Sequence, residues 1–526
     1  MGIRKAKSLP TLPSLQERLN FTSADNNSEH FTCNLVTPMY GGGVSTGEVD
    51  KAMPIRATAI RGQLRHWWRL LNRKDANGKL RSAKELFETE RAIWGGLGDE
   101  KTLAKSKVIV SIKTRSVKQS ELQSAATYQH VNGELKGPAF GDLPGYALFP
   151  GKGEKNKNTI TKDAVKLLKA GYSFQLSVAF GRNLLPPQRE QVLDALRWWA
   201  TFGGVGARTR RGCGAVQAFD QSGSALWVST DEVQKRNWIL ILCNPVQSSN
   251  HAWNLAANLL KDFRQKPGLA RKARPREARP GRSYWPEPDA TRRITGKHAL
   301  NHAPIHPAGN VFPRAVFGLP IIFQFKGSPG DPDGATLKPI PLGADSAADR
   351  MASPLILRPY QSAQGWHGAV LCLDTDHVKT MRLSLEGDLP KLPYTLDPDK
   401  WAHKAASQHV APMDGRENAI DAFLAHFART AMRPEEPIQP PPNQPVARTN
   451  HAQGVAGVQL TRNGRNESLQ AKHEESQKTW IATGDRARKL FASLPVQRQE
   501  ELKNGRYIRA DIQVAGHDIL AVREPA

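Results

Sequence analysis

The sequence has few of the features that mark secreted, membrane-spanning or disulfide-stabilised proteins. Its four cysteines lie far apart with no CxxC pair, which argues against a zinc knuckle or a disulfide framework and favours ordinary reduced thiols. No apolar run approaches the ~20 residues that span a bilayer. The opening MGIRKAKSLPTLPSL is basic but lacks the apolar segment of a signal peptide. We therefore expect a cytoplasmic protein with no membrane partner.

Acidic residues are scarce relative to basic ones. Lys and Arg number 74 against 49 Asp and Glu, a formal net charge of +25. Such an excess is typical of proteins that bind a polyanion, and nucleic acid is the leading candidate. The 526 residues, 39% of them hydrophobic, exceed one ordinary core, so we expect two or three globular domains.

The order of predicted elements indicates an α+β fold. Strand patterns at 31–40, 106–114, 172–180 and 213–219 alternate with helical patterns at 58–73 and 186–202. This βαββαβ order favours a ferredoxin-like unit with insertions. A second set follows, with strands predicted at 238–244, 318–326, 354–360 and 368–374 and helices at 249–263 and 418–430. These strands are expected to complete one open sheet.

We therefore predict tandem ferredoxin-like (RRM-like) domains with insertions and a C-terminal appendage. The expected boundaries are a flexible segment at 1–30, a first domain at 31–230, a second at 231–432, a proline-rich linker at 433–448 and a small extension at 449–526. Prolines in EEPIQPPPNQPVAR favour an extended linker. Within the extension, the patterns predict only a helix near 484–494 and a mixed, strand-like stretch at 506–522.

The helix predicted at 58–73, TAIRGQLRHWWRLLNR, contains no acidic residue. Its arginines recur every four residues beside an apolar stripe, so they form one slanting band, a candidate anion-binding surface. Gly62 inside the helix costs about 1 kcal/mol relative to alanine, which suggests close approach of a backbone or ligand there. The tryptophan pairs of this helix and of LRWW at 196–199 are interpreted as core rather than as base-stacking platforms.

The segment GGVGARTRRGCGAV at 203–216 also lacks acids, and it is neither a Walker loop nor a GxGxxG motif. Its glycines can let backbone amides approach a phosphate, and its three arginines can add bidentate contacts to phosphate oxygens. A glycine-rich hairpin with solvated arginines is the alternative interpretation.

Several motifs, in order along the chain, resemble the RAMP superfamily of CRISPR proteins, in particular its type III-B Cmr module. They are TPMYGGG, IRATAIRGQLRHWWRLL, SKV, YALFP and GGVGARTRRGCG. PGRSYWPEPD, FPRAVFGLPIIFQFK and RMASPLILRPY are similar to the second half of that module's first-numbered subunit.

The resemblance implies a subunit at the head of an RNA-guided effector complex that acts in antiviral defence. There it would lie beside the 3′ region of the guide RNA and bind guide and target RNA next to other RAMP subunits, without cleaving RNA and without a metal or cofactor. Members of this subunit type look shorter, so the extension after residue 448 is a departure whose role stays open.

Carried over by position, the resemblance implies RNA contacts from three regions. The helix supplies Arg56, Arg61, Arg65 and Arg69, and the loop supplies Gly203, Gly204, Gly206, Arg208, Arg210, Arg211 and Gly212. PGRSYWPEPD supplies Arg282, Tyr284 and Trp285, where an arginine beside two aromatics can clamp a phosphate and stack a base. Arg314, Arg350 and Arg358 rank second, because an arginine beside strands can instead pair with a buried carboxylate. The basic stretch 264–297 is predicted to be a mobile arm that orders on RNA.

Two alternatives stay open. A metal-independent guide-processing endoribonuclease of the same superfamily would need acid–base groups, for which His66, His298, His302 and His306 are candidates. Prolines at 304 and 307 disfavour one helix that carries the last three. The other alternative is a stand-alone structural RNA-binding protein, such as a basic ribosome-associated factor.

Overall fold

The computed structural model describes two stretches of the chain. They are residues 27–431 apart from 76, 99–102, 274–280, 326–328, 376–377, 379, 388–393 and 399–407, and residues 453–523 apart from 464–467, 475, 477 and 516–517. The chain divides into two units, Met1–Pro434 and Glu435–Ala526. Of the segment predicted to be flexible at 1–30, only residues 27–30 are described, and the prediction is wrong for 28–30 because they belong to the first strand. The linker at 433–448 lies outside the described residues. In the stretches described, no helix has the length and apolar character needed to cross a membrane.

The first sheet of unit one is antiparallel and has the strand order of a ferredoxin-like fold. Its strands are β1 (Ser28–Leu35), β2 (Val108–Lys113), β3 (Ser173–Phe180), β4 (Val216–Phe219) and β5 (Ala225–Leu226). They lie in the order β5-β4-β1-β3-β2. Helices α1 (Ala57–Leu71) and α2 (Ala83–Trp94) come between β1 and β2, and α3 (Pro186–Phe202) comes between β3 and β4. The predicted βαββαβ unit is confirmed, with β5 added at one edge.

The two long helices of this domain pack their tryptophans into one core. Trp67 of α1 and Trp198 of α3 stack with ring centroids 6.1 Å apart. Pro186 opens α3 at a position where the missing amide hydrogen costs little, and Gly203 follows its last turn. Because Trp67, Trp68, Trp198 and Trp199 are all buried, the prediction that they belong to the core is confirmed.

Long insertions interrupt the first domain with small paired strands. The pairs are Gly96–Leu97 with Leu103–Ala104, Leu122–Ser124 with Lys166–Leu168, Thr127–Val131 with Glu134–Ala139, and Glu154–Asn156 with Thr159–Lys162. A short helix, Gly145–Leu148, and 3-10 turns at Gln119–Glu121 and Phe149–Gly151 complete them. All four cysteines of the chain are buried free thiols, and burial raises the pKa of Cys33, Cys213 and Cys372 to about 12.

The second half of unit one repeats most of the same connectivity. Helix α4 (Thr230–Lys235) leads into β6 (Ile239–Leu242), α5 (Ser249–Gln265), α6 (Glu287–Thr295), β7 (Ile321–Phe323), β8 (Ala335–Ile340), β9 (Leu355–Ser362), β10 (Gly365–Cys372), β11 (Arg382–Gly387), β12 (Tyr394–Leu396) and α7 (Ala419–Ala431). Strands β6, β10 and β9 form one antiparallel sheet in that order. In the first domain, β1, β3 and β2 have the same arrangement, so the tandem fold class is confirmed.

The segment 318–326 does not complete that sheet, so this prediction was wrong. Its strand β7 pairs with β8 in a separate sheet of order β7-β8-β11-β12. Strands β7 and β8 of the insertion between α5 and β9 pair with each other, and β8 also pairs with β11, which follows β10. An apolar period shows that a strand exists without showing its partner.

Unit two is a closed five-stranded barrel that the sequence patterns largely missed. It consists of β13 (Gln453–Asn463), β14 (Ser468–Lys472), β15 (Thr479–Ala482), α8 (Gly484–Ala492), α9 (Val496–Lys503), β16 (Ile508–Ala515) and β17 (Asp518–Arg523). The barrel order is β13-β14-β15-β17-β16. Strand β13 pairs with both β14 and β16, and β15 pairs in parallel with β17. The stretch 506–522, read from the sequence as one mixed element, contains two strands.

Candidate nucleic-acid interface

The arginine band of α1 is partly neutralised by an acid from the next helix. Nε of Arg65 donates to Oε1 of Glu90 at 2.6 Å, and Nε of Arg69 lies 3.6 Å from Oε2 of the same residue. Glu90 is buried on α2, whereas Arg69 keeps about half of its side chain exposed. A guanidinium nitrogen of Arg61 donates to the carbonyl oxygen of Trp94. Of these three arginines, Arg69 is therefore the one most exposed to an external anion.

Arg56 and Gly62 are the two other residues of this region that the sequence singled out. Arg56 precedes α1 and donates from Nη2 to the carbonyl oxygen of Gly42 at 2.7 Å. A methyl group added to Gly62 would meet no atom within 4 Å. The expectation that Gly62 permits close approach of the protein's own backbone is therefore wrong, because this part of the helix surface faces open space.

The glycine-rich loop uses most of its glycines for packing. Gly203, Gly204 and Gly212 are buried, and a side chain at Gly212 would overlap the indole ring of Trp253. The backbone at Gly212 has φ +83°, in the region that favours glycine. Its amide donates to the carbonyl oxygen of Thr209, so it is not presented to a phosphate. Of the predicted loop glycines, Gly206 is exposed.

The first two loop arginines are held by carbonyl groups, and no carboxylate of the described residues pairs with them. Nε of Arg208 donates to the carbonyl oxygen of Ala147 in the insertion. Nη1 of Arg210 donates to the carbonyl oxygen of Ser353, which precedes β9. These hydrogen bonds fix the directions of the side chains, but they leave the positive charges uncompensated.

Arg211 is the most buried arginine of the loop. Its Nη2 donates to the carbonyl oxygen of Phe317 at 3.3 Å, and its buried Nη1 meets no hydrogen-bond partner among the described residues. Burial lowers the pKa of Arg211 to about 10, and the nearby charges of Arg264, Arg208 and Arg210 act in the same direction. A buried cation without a matching anion is unfavourable, but the unpartnered Nη1 is shielded from solvent, so Arg211 adds positive charge to the site without presenting this atom to an external anion.

The loop and α1 meet at His66. Nη2 of Arg210 lies 3.3 Å from Nε2 of His66. Burial, followed by the charges of Arg210 and Arg69, lowers the pKa of His66 to about 4. The structure thus brings together two segments that were predicted separately. We refer to His66, Arg69, Arg208, Arg210 and Arg211 as the arginine junction. In the described part of the chain, no carboxylate forms an ion pair with its three loop arginines.

The PGRSYWPEPD motif is mainly structural. Nη2 of Arg282 donates to both carboxylate oxygens of Asp289, at 2.9 and 2.8 Å. Trp285 is buried, and its ring packs against Phe263 with centroids 5.4 Å apart. Tyr284 is half-buried. The expectation that Trp285 stacks a base is therefore wrong, because its ring faces are covered by the core.

Of the second-ranked arginines, Arg358 is buried, Arg314 is part-buried and Arg350 is exposed. Nε of Arg314 lies 3.1 Å from Oε2 of the fully buried Glu287, as expected for an arginine that pairs with a buried carboxylate. Arg358 is buried and donates to the carbonyl oxygens of Gly203 and Val216 at 2.8 and 3.0 Å. It thereby ties β9 to the start of the glycine-rich loop, and burial lowers its pKa to about 9. Arg350 is exposed.

The spaced histidines do not line one helix. His302 ends a 3-10 turn, Leu300–His302, and its Nδ1 lies 2.6 Å from Oδ2 of Asp331. Although burial acts to raise the pKa of Asp331, hydrogen bonds from Arg292 and His302 hold it well below its usual range. Among the described residues, no three His, Cys, Asp or Glu side chains are placed to hold a metal ion. The centre of the predicted basic arm, 274–280, lies outside the described residues, but α6 near its end is ordered helix.

Comparison with known proteins finds a family match in the first domain. Residues 32–217 match the RAMP superfamily, and no curated protein matches the chain. Similar solved structures include apo Cmr1 from Pyrococcus furiosus, at 16% identity over 66% of this chain and 88% of that one, with a TM-score of 0.32. A chain of the type III-B Cmr-beta complex bound to cognate target RNA matches at 10% identity over 76% of this chain and 100% of that one, with a TM-score of 0.38. The superfamily match is confined to residues 32–217, and the low TM-scores of the solved structures add no argument to it.

Proposed function

Because residues 32–217 carry a domain of the RAMP superfamily, we propose that this chain is a non-catalytic RNA-binding subunit of a type III-B CRISPR effector complex. It holds the 3′ region of the guide RNA, the target RNA, or both, and it lies beside other RAMP subunits in this ribonucleoprotein. The type III-B assignment rests on the ordered motifs from TPMYGGG to RMASPLILRPY.

The arginine junction is the observation that supports RNA binding. Its loop arginines are oriented by carbonyl groups and have no carboxylate partner in the described stretches, whereas Arg65 of the neighbouring helix is matched by Glu90. A phosphodiester backbone supplies the missing negative charge and accepts the paired N–H groups of a guanidinium. The junction therefore suits RNA better than the arginine band of α1 considered alone.

Contacts of this kind position a strand without reading its sequence. Arginines that bind phosphates fix the register of the RNA on the protein and carry no base information. In an RNA-guided complex, base pairing between guide and target reads the sequence, and the protein recognises the backbone and its geometry. The role we assign to the chain is thus to hold the RNA in place while other subunits perform the chemistry.

One observation favours the endoribonuclease alternative. The Nδ1–Oδ2 distance of 2.6 Å between His302 and Asp331, with His302 part-exposed, resembles the base and orienting acid of a hydrolytic site. However, Asp331 also accepts hydrogen bonds from the guanidinium of Arg292 and the amide of Ala299. These partners fit a structural ion-pair network, so we favour binding without cleavage.

The binding test compares the unaltered chain with Arg208→Ala combined with Arg210→Ala, using labelled guide RNA over a range of salt concentrations. If each arginine neutralises one phosphate, the double variant should reduce the slope of log affinity against log salt by about 1.4. Arg429→Ala is the matched control, since Arg429 is exposed and paired with Asp414. Arg210→Lys keeps the charge and should retain part of the affinity. Equal binding by a folded double variant and the control would reject the junction as the RNA site.

The cleavage test uses the purified chain, first alone with guide RNA and then with the other subunits and a complementary target. We expect stable binding in the assembled complex and intact RNA when the chain is alone. Cleavage by the chain alone that His302→Ala abolishes would overturn the non-catalytic proposal and support the endoribonuclease.

A further inference from the structure

The barrel of residues 453–523 has the connectivity of an oligonucleotide/oligosaccharide-binding fold. Its first strand, β13, pairs with β14 and β16, and the parallel contact of Ile481 in β15 with Asp518 in β17 closes the barrel. Helices α8 and α9 lie between the third and fourth strands. Barrels of this kind bind single strands or sugars across the face of their second and third strands.

We propose that the outward face of β13, β14 and β15 is a second nucleic-acid site, which binds a single strand. It is separate from the arginine junction and does not depend on RNA binding by unit one. We call this surface the barrel face and define it by Gln459, Thr461, Gln470, Lys472, Thr479, Ile481 and Arg509.

Strand register places these side chains in two adjacent rows. Gln459 pairs with Arg509 on one side and Lys472 on the other, and Lys472 pairs with Thr479. The second row runs from Thr461 through Gln470 to Ile481. The alternate residues Leu460, Ala471 and Trp480 are buried inside the barrel. Since side chains alternate between the faces of a strand, both rows point outward.

The barrel face combines positive charge with an exposed apolar side chain, and an exposed tyrosine lies next to Arg509 on its outward side. Lys472 is exposed, and the Arg509 side chain is 67% exposed. Ile481 is 41% exposed, and Tyr507, which precedes β16 and shares the outward side with Arg509, is 57% exposed. Single-strand binding combines two components: cations that follow the phosphates, and aromatic groups that stack on the bases.

Among the described residues near this surface, Glu474 limits its positive charge. Glu474 lies 3.6 Å from Nη2 of Arg509 and accepts a hydrogen bond from Gln459. Both partners of the ion pair are more than half exposed, and such exposed pairs are weak. An incoming phosphate can therefore displace the carboxylate, and neutralising Glu474 should strengthen binding.

A single strand fits this face better than a duplex does. The Tyr507 ring can stack, and Ile481 can make apolar contact, only with the faces of unpaired bases, because paired bases present their faces to neighbouring base pairs. The two cations favour a polyanion over a neutral sugar. RNA and DNA share this chemistry, so the test compares both.

The experiment uses the full chain with photoreactive uridine and thymidine oligomers of about 12 nucleotides, within the ~4–16 nucleotides that one such barrel covers. Crosslinked peptides are mapped by mass spectrometry, so binding by unit one does not mask the result. We expect crosslinks within 453–523, on the order of tenfold weaker in Lys472→Glu with Arg509→Glu and stronger in Glu474→Gln. The oligomer that crosslinks at the lower concentration identifies the type of strand.

Lys489→Glu with Lys503→Glu is the matched control, because it reverses two exposed charges on α8 and α9 of the same unit. Its crosslinks should stay within about twofold of the unaltered chain. Crosslinks confined to residues before 434 with both oligomers would overturn the proposal. An equal loss in the control and the barrel-face variant would also overturn it, since the effect would then reflect the overall charge of the barrel.

Discussion

Nε of Arg65 donates a hydrogen bond to Oε1 of Glu90 across 2.6 Å and joins α1 to α2. Only 3% of the Glu90 side chain is exposed, against 28% for Arg65. This pair explains how α1 can carry a row of arginines without an acid of its own, because the acid comes from the neighbouring helix. It also shows that a count of basic residues in a sequence overstates the positive charge that a ligand can reach.

Glu90→Gln should reduce the free energy of unfolding by about 1–3 kcal/mol and tighten RNA binding. The change leaves the guanidinium groups of Arg65 and Arg69 without their buried counter-charge, and an RNA phosphate can then replace it. Urea unfolding and RNA titration measure the two effects. Glu88→Gln is the control on the same helix, since the Glu88 side chain is 40% exposed, against 3% for Glu90, and pairs with Arg91. It should change stability by less than about 1 kcal/mol. If Glu90→Gln loses both stability and RNA affinity, the pair supports the RNA-binding surface instead of competing with RNA.

Gly62→Ala should stabilise the chain by about 0.5–1 kcal/mol, because glycine is unfavourable inside a helix and an added methyl group meets no atom within 4 Å. Thermal or urea unfolding measures the gain. RNA affinity should stay unchanged if the nucleic acid contacts the arginine junction and not this part of α1. A stabilised variant with weaker RNA binding would instead place RNA against Gly62.

His66 should make stability depend on pH below neutrality. Its pKa is about 4 in the folded chain, chiefly because of burial, and about 6.5 in an unfolded chain. Between these values the unfolded state binds a proton that the folded state does not. The contribution of neutral His66 is therefore fully present above about pH 6.5 and is lost as the pH falls towards 4.

His66→Gln tests this dependence through urea unfolding at a series of pH values. The difference in unfolding free energy between the unaltered chain and the variant should be constant above about pH 7 and shrink below about pH 6.5. Bound RNA should raise the pKa of His66, because a phosphate near Arg210 offsets the repulsion from its charge. A difference that stays constant from pH 4 to 7, within about 0.5 kcal/mol, would show that His66 titrates as it does in the unfolded chain.

Arg314→Ala should lower stability, whereas Arg350→Ala should leave stability nearly unchanged. The first leaves the fully buried Glu287 carboxylate without its ion-pair partner, which should cost about 3–5 kcal/mol of stability. Arg350 is exposed, so its removal should change stability by less than about 0.5 kcal/mol. If Arg350 contacts RNA, the second variant should weaken RNA binding alone. Differential scanning fluorimetry and RNA titration separate the two roles, and a stable Arg314→Ala chain with weakened RNA binding would reverse our assignment of Arg314.

Local patterns predicted the principal strands and the helices α1, α3, α5 and α7 of unit one, but they missed α2, α6, β8, β11 and β12. The helix expected at 186–202 occupies Pro186–Phe202, because its opening prolines and closing glycines mark both ends. The apolar period of α1 and α3 also identified the tryptophans as core. The same patterns failed for the barrel, whose first three strands were not recognised, and for the partner of β7. Short strands have weak periodic signals, and pairing depends on residues distant in the chain.

The sequence by itself determined the excess of positive charge, the βαββαβ order and the motifs shared with the RAMP superfamily, because each is written in residue type and spacing. Only the tertiary structure decided which arginines are exposed and which are paired or buried. Glu90 neutralises part of the α1 band from 25 residues away and Trp285 is covered by the core, while Arg210 approaches His66 across a gap of 144 residues. These relationships depend on which surfaces meet when the chain folds. The spacing of apolar residues within a short segment does not encode them.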